Sequence, residues 1–130
     1  MSLNVKLDQK QEGIFLVTIV GSIDSDTYKI LEEKITPLLN PKTKVIIFEM
    51  EGVEYVSSMG INVIIRVQQF LEKQNGMFAM TNLQPQVKKV FEIFKALPKM
   101  KVFESTEEMD TYLFKIQQDE IERGGKPPKE

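Results

Sequence analysis

Apolar and polar residues alternate from Asn4 to Gln9, with Val5 and Leu7 set between polar neighbours. A period of two predicts a half-exposed first strand. Gln11-Glu12-Gly13 makes a turn, and Ile14-Phe15-Leu16-Val17-Thr18-Ile19-Val20 predicts a second strand. Gly21-Ser22-Ile23-Asp24-Ser25 follows as a loop, after which Ser25 or Asp26 offers an N-cap to a first helix. That helix carries a stripe through Ile30 or Leu31, Lys34 or Ile35, and Leu38; Pro37 falls where it kinks or tightens the last turn, and Asn40-Pro41-Lys42 ends it. Lys44 to Met50 reads as a central strand, apolar on both faces, as parallel strands covered by helices are.

The clearest periodicity runs from Met59 to Asn75. At about 100° per residue, Gly60, Val63, Ile64, Val67, Phe70 and Leu71 share one face, while Asn62, Arg66, Gln69 and Lys73 lie opposite. Ile61 and Ile65 stand beside the apolar face: they either widen it or form an exposed apolar strip where a partner docks. Gly76 is placed as the helix terminator. Met77-Phe78-Ala79-Met80-Thr81 predicts a short strand, and Pro85 opens a third helix with Val87, Val90, Phe91 and Phe94 inward. Val102-Phe103 reads as an edge strand, and Ser105-Thr106-Glu107-Glu108 has the form of a capping box for a last helix that turns Met109, Tyr112, Leu113 and Ile116 inward. Residues 1–122 form one domain on this reading; residues 123–130, rich in Gly, Pro and Lys, have nothing to bury and are expected to be a disordered tail. Strands alternating with helices imply an α/β sheet with helices packed on it.

At 130 residues and 42% hydrophobic, the chain can bury a core without metal or disulfide support. It has no cysteine and no histidine, which removes disulfides, thiolate nucleophiles, Ser-His triads and the commonest transition-metal ligands. A net charge of −2 supplies no basic field for nucleic acid, no segment approaches a membrane span, and no signal peptide opens the chain, so a cytoplasmic protein is expected. No nucleotide-binding glycine motif appears, and no cofactor is implied. Of the seven methionines, Met77, Met80 and Met109 sit at core spacing.

The candidate chemistry lies where the buried strand hands over to the long helix, in Tyr55-Val56-Ser57-Ser58-Met59-Gly60-Ile61-Asn62. A serine there can cap the helix, or it can be offered to an enzyme that phosphorylates it. Asp24 by itself reads as a turn or capping carboxylate.

The order of elements, with local motifs, resembles the STAS domain, and in particular the bacterial anti-sigma-factor antagonists. Gly21-Ser22-Ile23-Asp24 is similar to the family's G-x-[IL]-D. Val45-Ile46-Ile47-Phe48-Glu49-Met50 with Val53-Glu54-Tyr55-Val56 resembles its central strand and the loop after it. Ser57-Ser58-Met59-Gly60-Ile61 resembles its D-S-[ST]-G-L signature, and Asn82-Leu83 with Val87 to Phe94 its later strand-to-helix segment. The resemblance implies a mixed four- to five-stranded sheet with about four helices mainly on one face. It also implies a non-enzymatic regulatory module. In that family a serine kinase that doubles as an anti-sigma factor phosphorylates the signature serine, the unmodified form binds that kinase, and a PP2C-type phosphatase reverses the modification.

Aligned on Gly60, the phosphorylated position falls on Ser58, with Ser57 a second hydroxyl beside it. Asp24, Ser22, Met59 and Gly60 lie near it, and Ile61, Asn62, Ile65 and Arg66 are the implied partner surface. Ser57 replaces the signature aspartate, Met59 the small hydroxyl residue, and Asn62 a glycine. Two other functions stay open on the sequence: a STAS scaffold or subunit of a signalling or transport assembly without a phosphate cycle, and a small-ligand binder or carboxylate enzyme using Asp24 and Glu49.

Overall fold

The structure, a computed structural model, describes residues 2–122. The expected tail from residue 123 onward lies outside the described residues. The elements run β1 (Leu3–Gln11), β2 (Ile14–Ile23), α1 (Tyr28–Ile35), β3 (Val45–Val56), α2 (Ser58–Lys73), β4 (Met77–Thr81), α3 (Pro85–Ile93), β5 (Lys101–Phe103) and α4 (Thr106–Glu122). One five-stranded sheet holds them in the order β1-β2-β3-β4-β5, with β1 antiparallel to β2 and the remaining pairs parallel.

That order places the helices. The parallel strands are laid down in one direction across the sheet, so right-handed crossovers put every connecting helix on the same face. Leu31 and Ile35 of α1, Ile61, Ile64 and Leu71 of α2, and Val87 and Phe91 of α3 share one core with Val17, Ile19, Ile46, Phe48, Met50 and Met80. The terminal helix is free of that constraint and covers the opposite face: Met109 and Leu113 pack on Ile14, Leu16, Val45, Ile47, Ala79 and Phe103. The strand that reads as apolar on both faces is therefore sandwiched between both cores. Tyr112 and Ile116 turn inward as expected, and the Tyr112 hydroxyl donates to Met77 Sδ at 3.0 Å. Burial raises the Tyr112 phenol above its ordinary pKa.

Several boundaries differ from the sequence reading. Gly21-Ser22-Ile23 is not a loop but the end of β2, paired with Val53, Tyr55 and Val56 of β3. Neither Ser25 nor Asp26 caps α1; the helix begins at Tyr28 after Thr27, and the capping work is done upstream by Asp24. Pro37 does tighten the end of α1, into a 3-10 turn at Thr36–Leu38. β3 continues past Met50 to Val56 because β2 continues beside it. The left-handed residue that ends α2 is Asn75 (φ 59°), with Asn75 N–H donating to Glu72 O at 3.2 Å and Gly76 N–H to Leu71 O at 2.7 Å, a Schellman ending. Gly76 serves a different need, since a Cβ there would meet Lys44 O at 2.7 Å. Phe94 is not core: it lies beyond the last turn of α3 and is 46% exposed.

The end of α3 repeats the Schellman pattern with Lys95 in the left-handed position (φ 55°), its N–H bonded to Glu92 O and that of Ala96 to Phe91 O, both at 3.0 Å. A lysine there bears the Cβ crowding that glycine avoids, roughly 1 kcal/mol. Lys95→Gly is expected to raise stability by about 0.5–1 kcal/mol, read as a higher urea midpoint with an unchanged slope; a lower midpoint would mean the lysine side chain contributes more than its backbone strain costs.

Candidate functional site

Three chain segments meet at the C-terminal ends of β2 and β3. β3 leads directly into Ser57, whose backbone (φ −86°, ψ 174°) is extended and whose N–H donates to Ile23 O at 2.8 Å, tying the start of α2 to the end of β2. Ser57 Oγ accepts from Gly60 N–H at 3.3 Å, so Ser57 is the N-cap. Ser58 is then the first helical residue. It is exposed, and its hydroxyl bonds no described residue. The two adjacent serines thus divide the roles that the sequence leaves open: one hydroxyl is spent on the helix and the other is free. The free one stands at the positive end of a helix spanning Ser58–Lys73, beside backbone N–H groups without helical partners.

Gly60 makes the junction possible. A Cβ on it would lie 2.6 Å from Ile23 Cγ2, 2.9 Å from Ile23 O and 2.9 Å from Val56 Cγ1. Only a residue without a side chain lets the first turn of α2 rest on both strand ends. That close approach is what carries Ser58 to the rim while Ile61, one turn on, is fully buried.

Asp24 follows Ile23 and closes its own turn. Its Oδ1 accepts from the N–H groups of Asp26 at 2.9 Å and Thr27 at 3.1 Å. The Thr27 hydroxyl, 1% exposed as a residue, donates to Ser22 O at 2.6 Å and accepts from Asp24 N–H at 2.9 Å. The hydroxyl also lies 3.2 Å from Asp24 Oδ1, but its single hydrogen goes to the nearer carbonyl. These bonds, the Asp26 N–H foremost, hold the Asp24 carboxyl below its ordinary value of 3.8. Asp24 is thus an ionised carboxylate fixed next to the residue that anchors Ser57. Ser22 contributes its carbonyl to the turn and pairs in register with Tyr55.

The outer face of α2 presents Met59 (38% exposed), Asn62 and Arg66. With Tyr28 and Glu32 of α1 they line a shallow groove of about 440 Å³. Arg66 Nη2 lies 3.0 Å from Glu32 Oε2, an exposed pair that links α1 to α2 and contributes under about 1 kcal/mol. The exposed apolar strip expected of Ile61 and Ile65 is not there: Ile61 is sealed in the core, and Ile65 is half-buried and packed against it. Both widen the buried face of α2. The exposed apolar residues nearest Ser58 in the chain are instead Met59 and, at the end of β3, Tyr55, which is 52% exposed.

The sequence reading missed Thr27, Gln84 and Gln86. β3 pairs with β4 only as far as Glu49, so its last residues have no strand partner on that side. Gln84 Nε2 donates to Glu51 O at 2.6 Å, Gln86 Nε2 to Glu54 O at 3.1 Å and to Gln84 Oε1 at 2.7 Å. These amides at the start of α3 brace the segment that delivers Ser57. Their partners lie more than thirty positions away in the chain, so no local pattern marks them.

A catalytic pair of Asp24 and Glu49 is not assembled. Asp24 is taken up by its turn; Glu49 accepts from Asn82 Nδ2 and from Glu51 N–H. No cluster of three or more metal-ligating side chains exists among the described residues.

Ser57→Ala removes the cap and is expected to cost about 1 kcal/mol, while Ser58→Ala leaves the chemical denaturation midpoint nearly unchanged; equal losses would show that the roles are not divided. Gly60→Ala is expected to cost about 1–3 kcal/mol by overpacking. Asp24 has a folded pKa below its unfolded one, so its contribution is present above pH 3.8 and is lost as pH falls through the folded value. The unfolding midpoint of Asp24→Asn, followed by titration, should therefore begin to approach that of the wild type as pH falls below 3.8 and converge on it below the lower folded value.

Residues 6–109 match the family described as "STAS domain". The anti-sigma-B factor antagonist of Bacillus subtilis (strain 168) is 30% identical over 92 residues, spanning 70% of this chain and 84% of the relative. The anti-sigma factor antagonist SpoIIAA in its unphosphorylated form superposes with a TM-score of 0.71 at 21% identity, over 84% of this chain and 96% of that one. The Bacillus cell fate determinant SpoIIAA in its phosphorylated form gives a TM-score of 0.67 at 20% identity, over 84% and 99%. The five-stranded sheet with its helices is the fold these structures share, and this chain belongs to the STAS domain family.

Proposed function

We infer that this protein is an anti-sigma-factor antagonist, a regulatory binding module whose interaction with an anti-sigma factor is switched by phosphorylation of Ser58. The observation that carries the reading is the exposed, unbonded hydroxyl of Ser58 at the N-terminus of α2, beside a serine already committed to capping. The bacterial relatives that bear this function in their names, and a neighbour known in phosphorylated and unphosphorylated forms, support it.

The physical consequence is local. A phosphoryl group adds about −1.5 to −2 charges at a helix end that favours anions. Ser58 is exposed and its hydroxyl bonds no described residue, so the fold need not change. The cost falls on a docked partner. An unpaired anion desolvated in an interface costs several kcal/mol, and about 1.4 kcal/mol is already tenfold in affinity. The partner surface comprises Ser58 with Met59, Asn62 and Arg66 and the exposed ring of Tyr55, bordered by the Asp24 carboxylate. The partner is an anti-sigma factor that is also a serine kinase, and a PP2C-type phosphatase restores the hydroxyl. The protein performs no catalysis itself and acts in the cytoplasm; no helix among the described residues is long and apolar enough to cross a membrane.

Affinity capture from host lysate is expected to recover a kinase-like anti-sigma factor with wild type and Ser58→Ala, and at least tenfold less of it with Ser58→Asp. Mass spectrometry of the native protein should place phosphate on the peptide containing Ser57 and Ser58, at Ser58. Undiminished capture by Ser58→Asp, or phosphate absent in every growth state, would defeat the switch and leave the family assignment standing.

A further inference from the structure

The two edges of the sheet are finished differently. β5 is three residues long, Lys101–Phe103, too short to template another strand. β1 is nine residues long, Leu3–Gln11, and among the described residues its one strand neighbour is β2. It contains no proline or glycine, and its one irregularity of register falls at its end, between Gln9 and Gln11. α1 packs over one face of the strand, where Leu3 and Val5 are buried, but Lys6, Gln9 and Lys10 are exposed and Leu7 is 38% exposed. An edge of this length leaves a row of backbone donors and acceptors open to another strand.

We propose that β1 is a self-recognition edge, through which two copies of this chain pair antiparallel about a two-fold axis at Leu7. The side chains and the extent of strand overlap together select that register. With Leu7 facing Leu7 of the second copy, Lys6 lies directly opposite Asp8 and Asp8 opposite Lys6. Lys10 then faces Asn4, and Gln9 faces Val5. Opposite residues of an antiparallel pair have Cβ atoms about 4.5–5.5 Å apart, so both ion pairs form across the new strand junction. Shifting the axis by one residue toward the N-terminus sets Lys6 against Lys6; shifting it the other way sets Asp8 against Asp8 and Lys6 against Lys10. Edge lysines ordinarily repel a second strand; the aspartate two positions from Lys6 converts that repulsion into a match. An axis at Gln9 also matches charges, setting Asp8 against Lys10, but it overlaps only residues 7–11 of the strand and is centred at the irregularity between Gln9 and Gln11, whereas the axis at Leu7 overlaps all of Leu3–Gln11. Backbone hydrogen bonds and the Leu7 contact supply the attraction, and the charges with the length of overlap fix the alignment. β1 is separated from β3 by β2, so the Ser58 end of each copy stays clear of the junction.

Sedimentation equilibrium of the purified full chain at low salt tests this. Wild type is expected to dimerise reversibly. Lys6→Asp sets a second carboxylate against Asp8, and Asp8→Lys sets a second ammonium against Lys6; each variant alone should dimerise at least tenfold more weakly, with unchanged circular dichroism. An equimolar mixture of the two variants restores opposite charges at both pairings and should form the mixed dimer at near wild-type affinity. A wild type that stays monomeric at about 0.5 mM, a concentration at which the affinity sought would be millimolar or weaker, overturns the proposal. So does a dimer indifferent to both substitutions, or a mixture that fails to associate. None of these readouts involves Ser58, so they stand or fall apart from the switch.

Discussion

The architecture of the site depends on one close contact, the seating of Gly60 against Ile23 and Val56. Around it, the Ser57 N–H bonds Ile23 O and the Ser57 side chain caps the helix that Gly60 opens. Those interactions fix where α2 starts and at what angle it leaves the sheet. Residues 57, 58 and 61 fall in three environments within one turn: half-buried and capping, exposed and free, fully buried. A side chain on Gly60 would lift the helix from the strands and blur that partition.

The surroundings of this contact are braced by polar groups more than by additional core. The extended tail of β3 has a strand neighbour on one side only, and the amides of Gln84 and Gln86 serve as the missing ladder on the other. On the β2 side, Asp24, Thr27 and the Ser22 carbonyl close a turn in which the carboxylate accepts backbone hydrogen bonds. Such bonds favour the charged form and hold it in place. The Ser58 hydroxyl stands at a helix N-terminus that attracts anions, and the Asp24 carboxylate is fixed one residue beyond the Ile23 carbonyl that accepts from Ser57 N–H. A helix end of this kind accommodates an anion without a change of fold, which is the electrical requirement of the switch proposed for Ser58.

Much of the fold follows from local chemistry. Period-two and period-3.6 patterns locate the strands and helices because each element must bury one face, and Pro37, Pro85 and Ser105 mark ends through constraints that act within a few residues. The adjacency of two hydroxyls to a glycine at a strand-to-helix junction, and with it the candidate site, is legible for the same reason. What the sequence could not decide are questions settled by distant partners. Gly21-Ser22-Ile23 is strand and not loop because β3 runs on beside it. Ile61 is core and not surface because α2 lies flush on two strand ends, which the helical period cannot reveal. Asn75, not Gly76, takes the left-handed position, while the glycine at 76 answers the close approach of the Lys44 carbonyl from a distant strand. The division of labour between Ser57 and Ser58 is likewise tertiary: two chemically identical hydroxyls differ only in which one the packed helix turns toward its own backbone.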